Sequence, residues 1–176
     1  MQNFQITAVE DGKKYWISRS MATRSELIVH DDNKIYILIN KRGEGTPDFQ
    51  HCWNIPCGYL EYDVTCAENA TKELLEETGV FIPDIMWEFM GIEDDPQRGN
   101  KQNVTAVYQL HVNIDVYEKY KTIGASMMNN GGEENEVEDV ELMELTKENI
   151  EKHQWAFNHK ERVDNLFKQL CSDFYF

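Results

Sequence analysis

The chain has 176 residues, 41% of them apolar, and sets 32 acidic against 17 basic side chains for a formal net charge of -15. This length and apolar content suit a single domain, residues 1–176, with its own hydrophobic core. The excess of carboxylates argues against a nucleic-acid backbone or an anionic membrane as the main partner, because both require a positive surface. Lys13, Lys14, Arg19 and Arg24 are followed by no apolar run, so no signal peptide or membrane span is expected, and the expected location is cytoplasmic. Cys52, Cys57, Cys66 and Cys171 contain no C-x-x-C pair, and the five histidines form no i, i+4 pair. Reduced thiols are therefore expected rather than a structural zinc site.

In chain order, β-rich runs occupy residues 26–30 (ELIVH), 34–39 (KIYILI), 87–92 (WEFMGI), 104–114 (VTAVYQLHVNI) and 137–145 (VEDVELMEL). Asp31-Asp32-Asn33 joins the first two as a hairpin turn, since Asp and Asn tolerate the dihedrals of a tight reversal. A helix is predicted over 65–78: Thr65 and Glu68 form a capping box, Ala67, Ala70 and Leu74 make the apolar stripe, and Gly79 stops it. Residues 124–139, with Asn129-Asn130-Gly131-Gly132 and an acidic cluster, read as a long loop. A short helix follows Thr146. A last one covers 158–171, with Val163, Leu166, Phe167 and Leu170 on one face.

The chemistry concentrates in Lys72 to Val80, KELLEETGV. At helical pitch Glu73, Glu76 and Glu77 project from one arc of roughly 100°. Like charges so spaced cost about 0.2 to 0.5 kcal/mol each, and the negative end of the helix dipole adds to this. A cation is the natural neutraliser. Taken alone, three glutamates on a helix form a solvated face more often than a site.

Gly58 lies upstream of this run in Asn54-Ile55-Pro56-Cys57-Gly58. From Gly58 to Val80 the sequence resembles the Nudix hydrolases, whose box is a glycine, five residues, a glutamate, seven residues and then R-E-U-x-E-E-x-G-U, with U apolar. Two positions depart from the pattern: Val64 replaces the first glutamate and Lys72 the arginine. The family pairs these two groups, so their joint loss leaves no charge without its mate, and Glu68, four residues before Lys72, is a substitute partner for it.

The resemblance implies an α/β fold, a Nudix-like α/β/α sandwich with a mixed β-sheet. It also implies attack of water on a diphosphate joined to a nucleoside, with Mg2+, or Mn2+ in its place, held by Glu73, Glu76 and Glu77. Such cations take oxygen ligands, bridge phosphate oxygens and acidify a bound water. The general base is then Glu77 or a loop glutamate among Glu133, Glu134 and Glu136, with Glu136 favoured because the next strand fixes it; the catalytic set is Glu76, Glu77 and Glu136. Arg42 and Arg98 are candidates for phosphate, and Trp53, Tyr59 and Phe49 for stacking on a base. Pro96 stands 16 residues after Val80, where relatives acting on ADP-ribose have a proline. ADP-ribose is thus the leading substrate. The alternatives are a nucleoside triphosphate pyrophosphatase and a non-catalytic nucleotide-sensing module. The expected partners are a small-molecule nucleotide and, as an assembly, a second copy in a homodimer, with no nucleic acid and no membrane.

Overall fold

Alternation along one long strand organises the fold. Leu27 and Val29 point to one side and Ile28 to the other, and all three are fully buried. The computed structural model of the chain describes residues 4–10, 12–97, 103–127 and 135–171. The strand is β3 (Ser20–Asp31), preceded by a separate two-stranded hairpin of β1 (Phe4–Thr7) and β2 (Lys14–Ile17). It reverses through Asp32, at φ 47°, into the antiparallel β4 (Lys34–Arg42), as the Asp-Asn turn predicts. The short strands β5 (Trp53–Asn54) and β6 (Cys57–Tyr59) pair with β4 and β3. Helix α1 (Cys66–Thr78) leads to β7 (Glu88–Glu93) and β8 (Asn103–Asn113), then α2 (Ile114–Met127), β9 (Val137–Glu144), α3 (Lys147–Lys152) and α4 (His159–Cys171).

The sheet runs β5-β4-β3-β8-β7, with β6 also on β3 and β9 also on β4. Only β3 and β8 are parallel among its paired strands, so the sheet is mixed. Leu27, Val29 and Leu38 pack with Leu74 of α1 and Tyr117 of α2 on one face. Ile28, Ile37 and Ile39 pack with Ile150 of α3 and with Val163 and Leu166 of α4 on the other. Two helical layers around one sheet make this an α/β/α sandwich.

Helix α1 forms as its sequence predicts: Thr65 and Glu68 close the capping box, and Gly79 adopts a left-handed C-cap at φ 72°. Glu68 donates no support to Lys72, because its carboxylate accepts the Thr65 N–H at 2.7 Å. The loop read over 124–139 is shorter: 124–127 complete α2 and 137–139 open β9. Among the described residues no helix is long and apolar enough to cross a membrane.

Candidate active site

The turn from β6 into α1 brings the acidic helix face against a strand backbone. Gly58 leaves no room for a Cβ while Glu73 keeps its position, since that Cβ would lie 2.2 Å from the Glu73 carboxylate. The Cys57 N–H donates to Glu77 Oε2 at 2.9 Å. Buried Asn69 ties the parts together: its amide donates to Thr23 Oγ1 at 2.8 Å and to Glu73 at 3.5 Å, while its carbonyl accepts the Glu61 N–H at 3.2 Å. Lys72 Nζ lies 2.5 Å from Glu61 and 3.7 Å from Glu76.

Packing carboxylates this way costs charge. Burial pushes the Glu77 carboxyl up to about 8, and the field of Glu73 adds to it, against the opposing Cys57 N–H and Arg42. Burial, followed by the charge of Glu76, raises Glu73 to about 7, with Lys72 opposing. The neighbouring Cys57 thiol is pushed up to about 12 by burial and Glu77, so it is not a thiolate.

These groups face a cavity of about 1330 Å³, which Glu73, Glu76, Glu77, Glu136, Arg42 and Tyr59 all line. This exceeds the roughly 300–1,000 Å³ usual for small-molecule sites. Glu136 is exposed, and its backbone is fixed by the loop after β4: the Gly43 N–H donates to the Glu136 carbonyl at 2.7 Å and the Gly45 N–H to that of Asn135 at 2.8 Å. A Cβ on Gly43 would stand 2.3 Å from the Asn135 oxygen, which explains the glycine. Arg42 donates to the Asp48 carboxylate at 2.8 Å and sits 5.1 Å from the Phe157 ring centre.

Trp53 is placed elsewhere than on the cavity wall. It packs against the core under α3 and α4 and meets His153 edge-on at 5.0 Å. Phe49 packs on Phe157 at 4.6 Å, and it is Phe157 that lines the cavity. Arg98, Glu133 and Glu134 lie outside the described residues. The lining residues that escaped the sequence include Phe157, His159 and Arg24. Arg24, 2% exposed, is held by Glu93 through two bonds and by Glu26 at 3.0 Å. Glu26, 0% exposed, also accepts from Arg162 and Gln109. This paired charge lies in the buried polar run Thr23-Arg24-Ser25-Glu26 of β3, which no local pattern marks as buried.

Among the described residues no three His, Cys, Asp or Glu side chains converge as a finished metal shell. The reason is local: Glu76 turns to Lys72, and Glu77 is engaged by Cys57. The donors nonetheless fit a hard divalent cation. All are carboxylate oxygens, and Gly58 leaves the close approach to Glu73 that a side chain would fill.

The NUDIX domain family model matches residues 23–166. An ADP-ribose pyrophosphatase of Methanocaldococcus jannaschii is 29% identical over 103 residues, covering 58% of this chain and 57% of the relative, so the chain spans little more than half of that relative's length. The NUDIX domain of Shewanella oneidensis NrtR, solved with ADP ribose, superposes with a TM-score of 0.65 at 17% identity over 88% of this chain and 90% of that one. A Francisella tularensis bifunctional NMN adenylyltransferase/ADP ribose pyrophosphatase, solved with AMP and a Mn ion, gives 0.60 at 19% identity over 86% and 42%. The two structures share the fold. With a family model matching most of the sequence, from β3 into α4, and the box glycine and three glutamates assembled at one cavity, the chain belongs to the NUDIX domain family.

Proposed function

We propose that the protein is a single-domain, divalent-cation-dependent hydrolase of a nucleoside diphosphate linked to a second group, with ADP-ribose, cleaved to AMP and ribose 5-phosphate, as its substrate. The observation that carries this is the cluster of Glu73, Glu76 and Glu77 against Gly58 on a cavity large enough for a dinucleotide-sized ligand. The archaeal relative's name supports the choice of ADP-ribose. Glu73, Glu76 and Glu77 would hold Mg2+ or Mn2+. When bound, the cation neutralises the diphosphate and makes a water more acidic. Glu136, held by the Gly43 and Gly45 amides, is the group assigned to take that water's proton, with Glu77 as its alternative. Arg42 is assigned to a phosphate, and Tyr59 and Phe157 to the apolar faces of the nucleoside.

Four free cysteines suit a reducing compartment, which supports the cytoplasm. Exposed Trp16 on β2, and Phe89, Met90 and Ile92 on the edge strand β7, support a homodimer.

The test is product analysis over ADP-ribose, other nucleoside diphosphate conjugates and nucleoside triphosphates, with Mg2+ or Mn2+ and with chelator. AMP and ribose 5-phosphate should form from ADP-ribose only with the cation. Glu77→Gln should lower turnover at least about a hundredfold while melting is unchanged. Preferred release of pyrophosphate from a triphosphate would instead assign the pyrophosphatase alternative. Tight nucleotide binding with no turnover would assign a sensing module.

A further inference from the structure

We infer that Lys72 is an internal counter-cation of the carboxylate cluster and that Glu61 is the seat to which it withdraws when a divalent cation binds. This rests on the proposal that Glu73, Glu76 and Glu77 hold such a cation. One ammonium is shared by two carboxylates: Glu61, in the turn after β6, at 2.5 Å, and Glu76, one helical turn along α1, at 3.7 Å. The Lys72 side chain is 37% exposed, Glu76 48% and Glu61 53%, so the ammonium has room to move between them.

The same contacts explain why the cluster is unfinished. Glu76 lies in the field of Glu73 but also 3.7 Å from the Lys72 ammonium, so completing a cation shell requires Lys72 to let it go. Repulsion between the incoming cation and the ammonium drives the separation, and Glu61 supplies an anion that keeps Lys72 paired afterwards. Lysine suits this role because its ammonium is a point charge on a flexible stem, whereas an arginine fork is fixed by its planar geometry. Glu68 does not compete for the ammonium, being bound to the Thr65 N–H. Val64 and Lys72, the two departures from the box, thereby acquire a common cause: the acid that partners position 72 has moved to position 61.

The experiment measures Mn2+ binding by calorimetry and by paramagnetic resonance of free Mn2+ for the native chain, Glu61→Gln, Lys72→Met and the double variant, with thermal melts of each to establish folding. Glu61→Gln should weaken Mn2+ by about fivefold, the scale of one exposed ion pair, because Lys72 then stays on Glu76. Lys72→Met should tighten it. In the Lys72→Met background, Glu61→Gln should cost under about twofold, which is the coupling that a double-mutant cycle isolates. A pure loop brace would make both single changes act in the same direction, and that result overturns the inference. So does an equal cost of Glu61→Gln in both backgrounds, which would reflect only a lost negative charge. A native chain that takes up no Mn2+ at millimolar concentration overturns the cation-binding proposal itself, and the inference with it. Binding abolished by Glu73→Gln but indifferent to Glu61→Gln overturns the inference alone.

Discussion

His159 lies buried at the start of α4, with its Nδ1 accepting the Ile55 N–H at 2.9 Å. That bond fixes the neutral tautomer with the proton on Nε2. Burial, with Arg24 and Arg42 nearby, holds its pKa well below the ordinary 6.5. The folded state therefore binds fewer protons than the unfolded one in mild acid, so His159 contributes stability that is present above about pH 6.5 and lost as pH falls. His159→Asn, which keeps an acceptor but cannot titrate, should lose stability less steeply between about pH 6.5 and 5.5, by up to about 1.4 kcal/mol per pH unit. Urea melts of both proteins across that range check this, and parallel slopes would remove His159 from the account. At this scale the sequence was legible where a motif spoke: Gly58, Glu73, Glu76 and Glu77, picked out by spacing and the box resemblance, all line one cavity. Arg24, His159 and Phe157 were not legible. They approach the site from distant segments, and no local pattern separates a charged cavity residue within a strand from an ordinary surface one.

Helix α1 was readable almost to the residue because its ends carry their own chemistry, a capping box and a left-handed glycine. Helix α2 was missed. Its sequence, IDVYEKYKTIGASM, is rich in β-branched and small residues and buries only Tyr117 and Gly124, so neither propensity nor periodicity marks it. What holds α2 is a close approach: Phe81 N–H donates to the Tyr120 carbonyl at 3.3 Å, and a Cβ on Gly124 would lie 2.1 Å from the Gly79 oxygen. Two glycine substitutions should therefore part ways. Gly124→Ala meets rigid backbone and should cost about 1–3 kcal/mol, seen as a lower melting temperature. Gly58→Ala meets the mobile end of Glu73, and should leave melting within about 1 kcal/mol while, on the proposal that Glu73 holds the cation, weakening Mn2+ at least about tenfold. Calorimetry and Mn2+ titration distinguish them; equal melting losses would mean that the Glu73 carboxylate is as rigid as backbone.

Over the whole molecule, the long strands β3, β4, β7, β8 and β9 were legible and strand order was not. Periodicity shows which residues face inward, but the parallel ladder from Ser20↔Asn103 to His30↔Asn113 joins segments with no local signal between them. The N-terminal hairpin was missed for a related reason: β1 and β2 stand apart from the main sheet, and the described side chains of β2 are exposed throughout. That ladder has a kinetic consequence. The β3–β4 hairpin and the β6–α1 unit are local in sequence and close early, whereas β8 must find β3 across a long intervening chain, the slow kind of event in folding. Glu73, Glu76 and Glu77 belong to the early unit, while Glu93, Asn103 and Thr105 bring their wall of the cavity only when β7 and β8 dock. During refolding monitored by stopped flow, Mn2+ uptake should thus return ahead of the binding of a fluorescent nucleotide. Simultaneous return would show that the two halves of the cavity assemble in a single step. The newly made chain would on this ordering complete the proposed cation site before it could recognise what to cut.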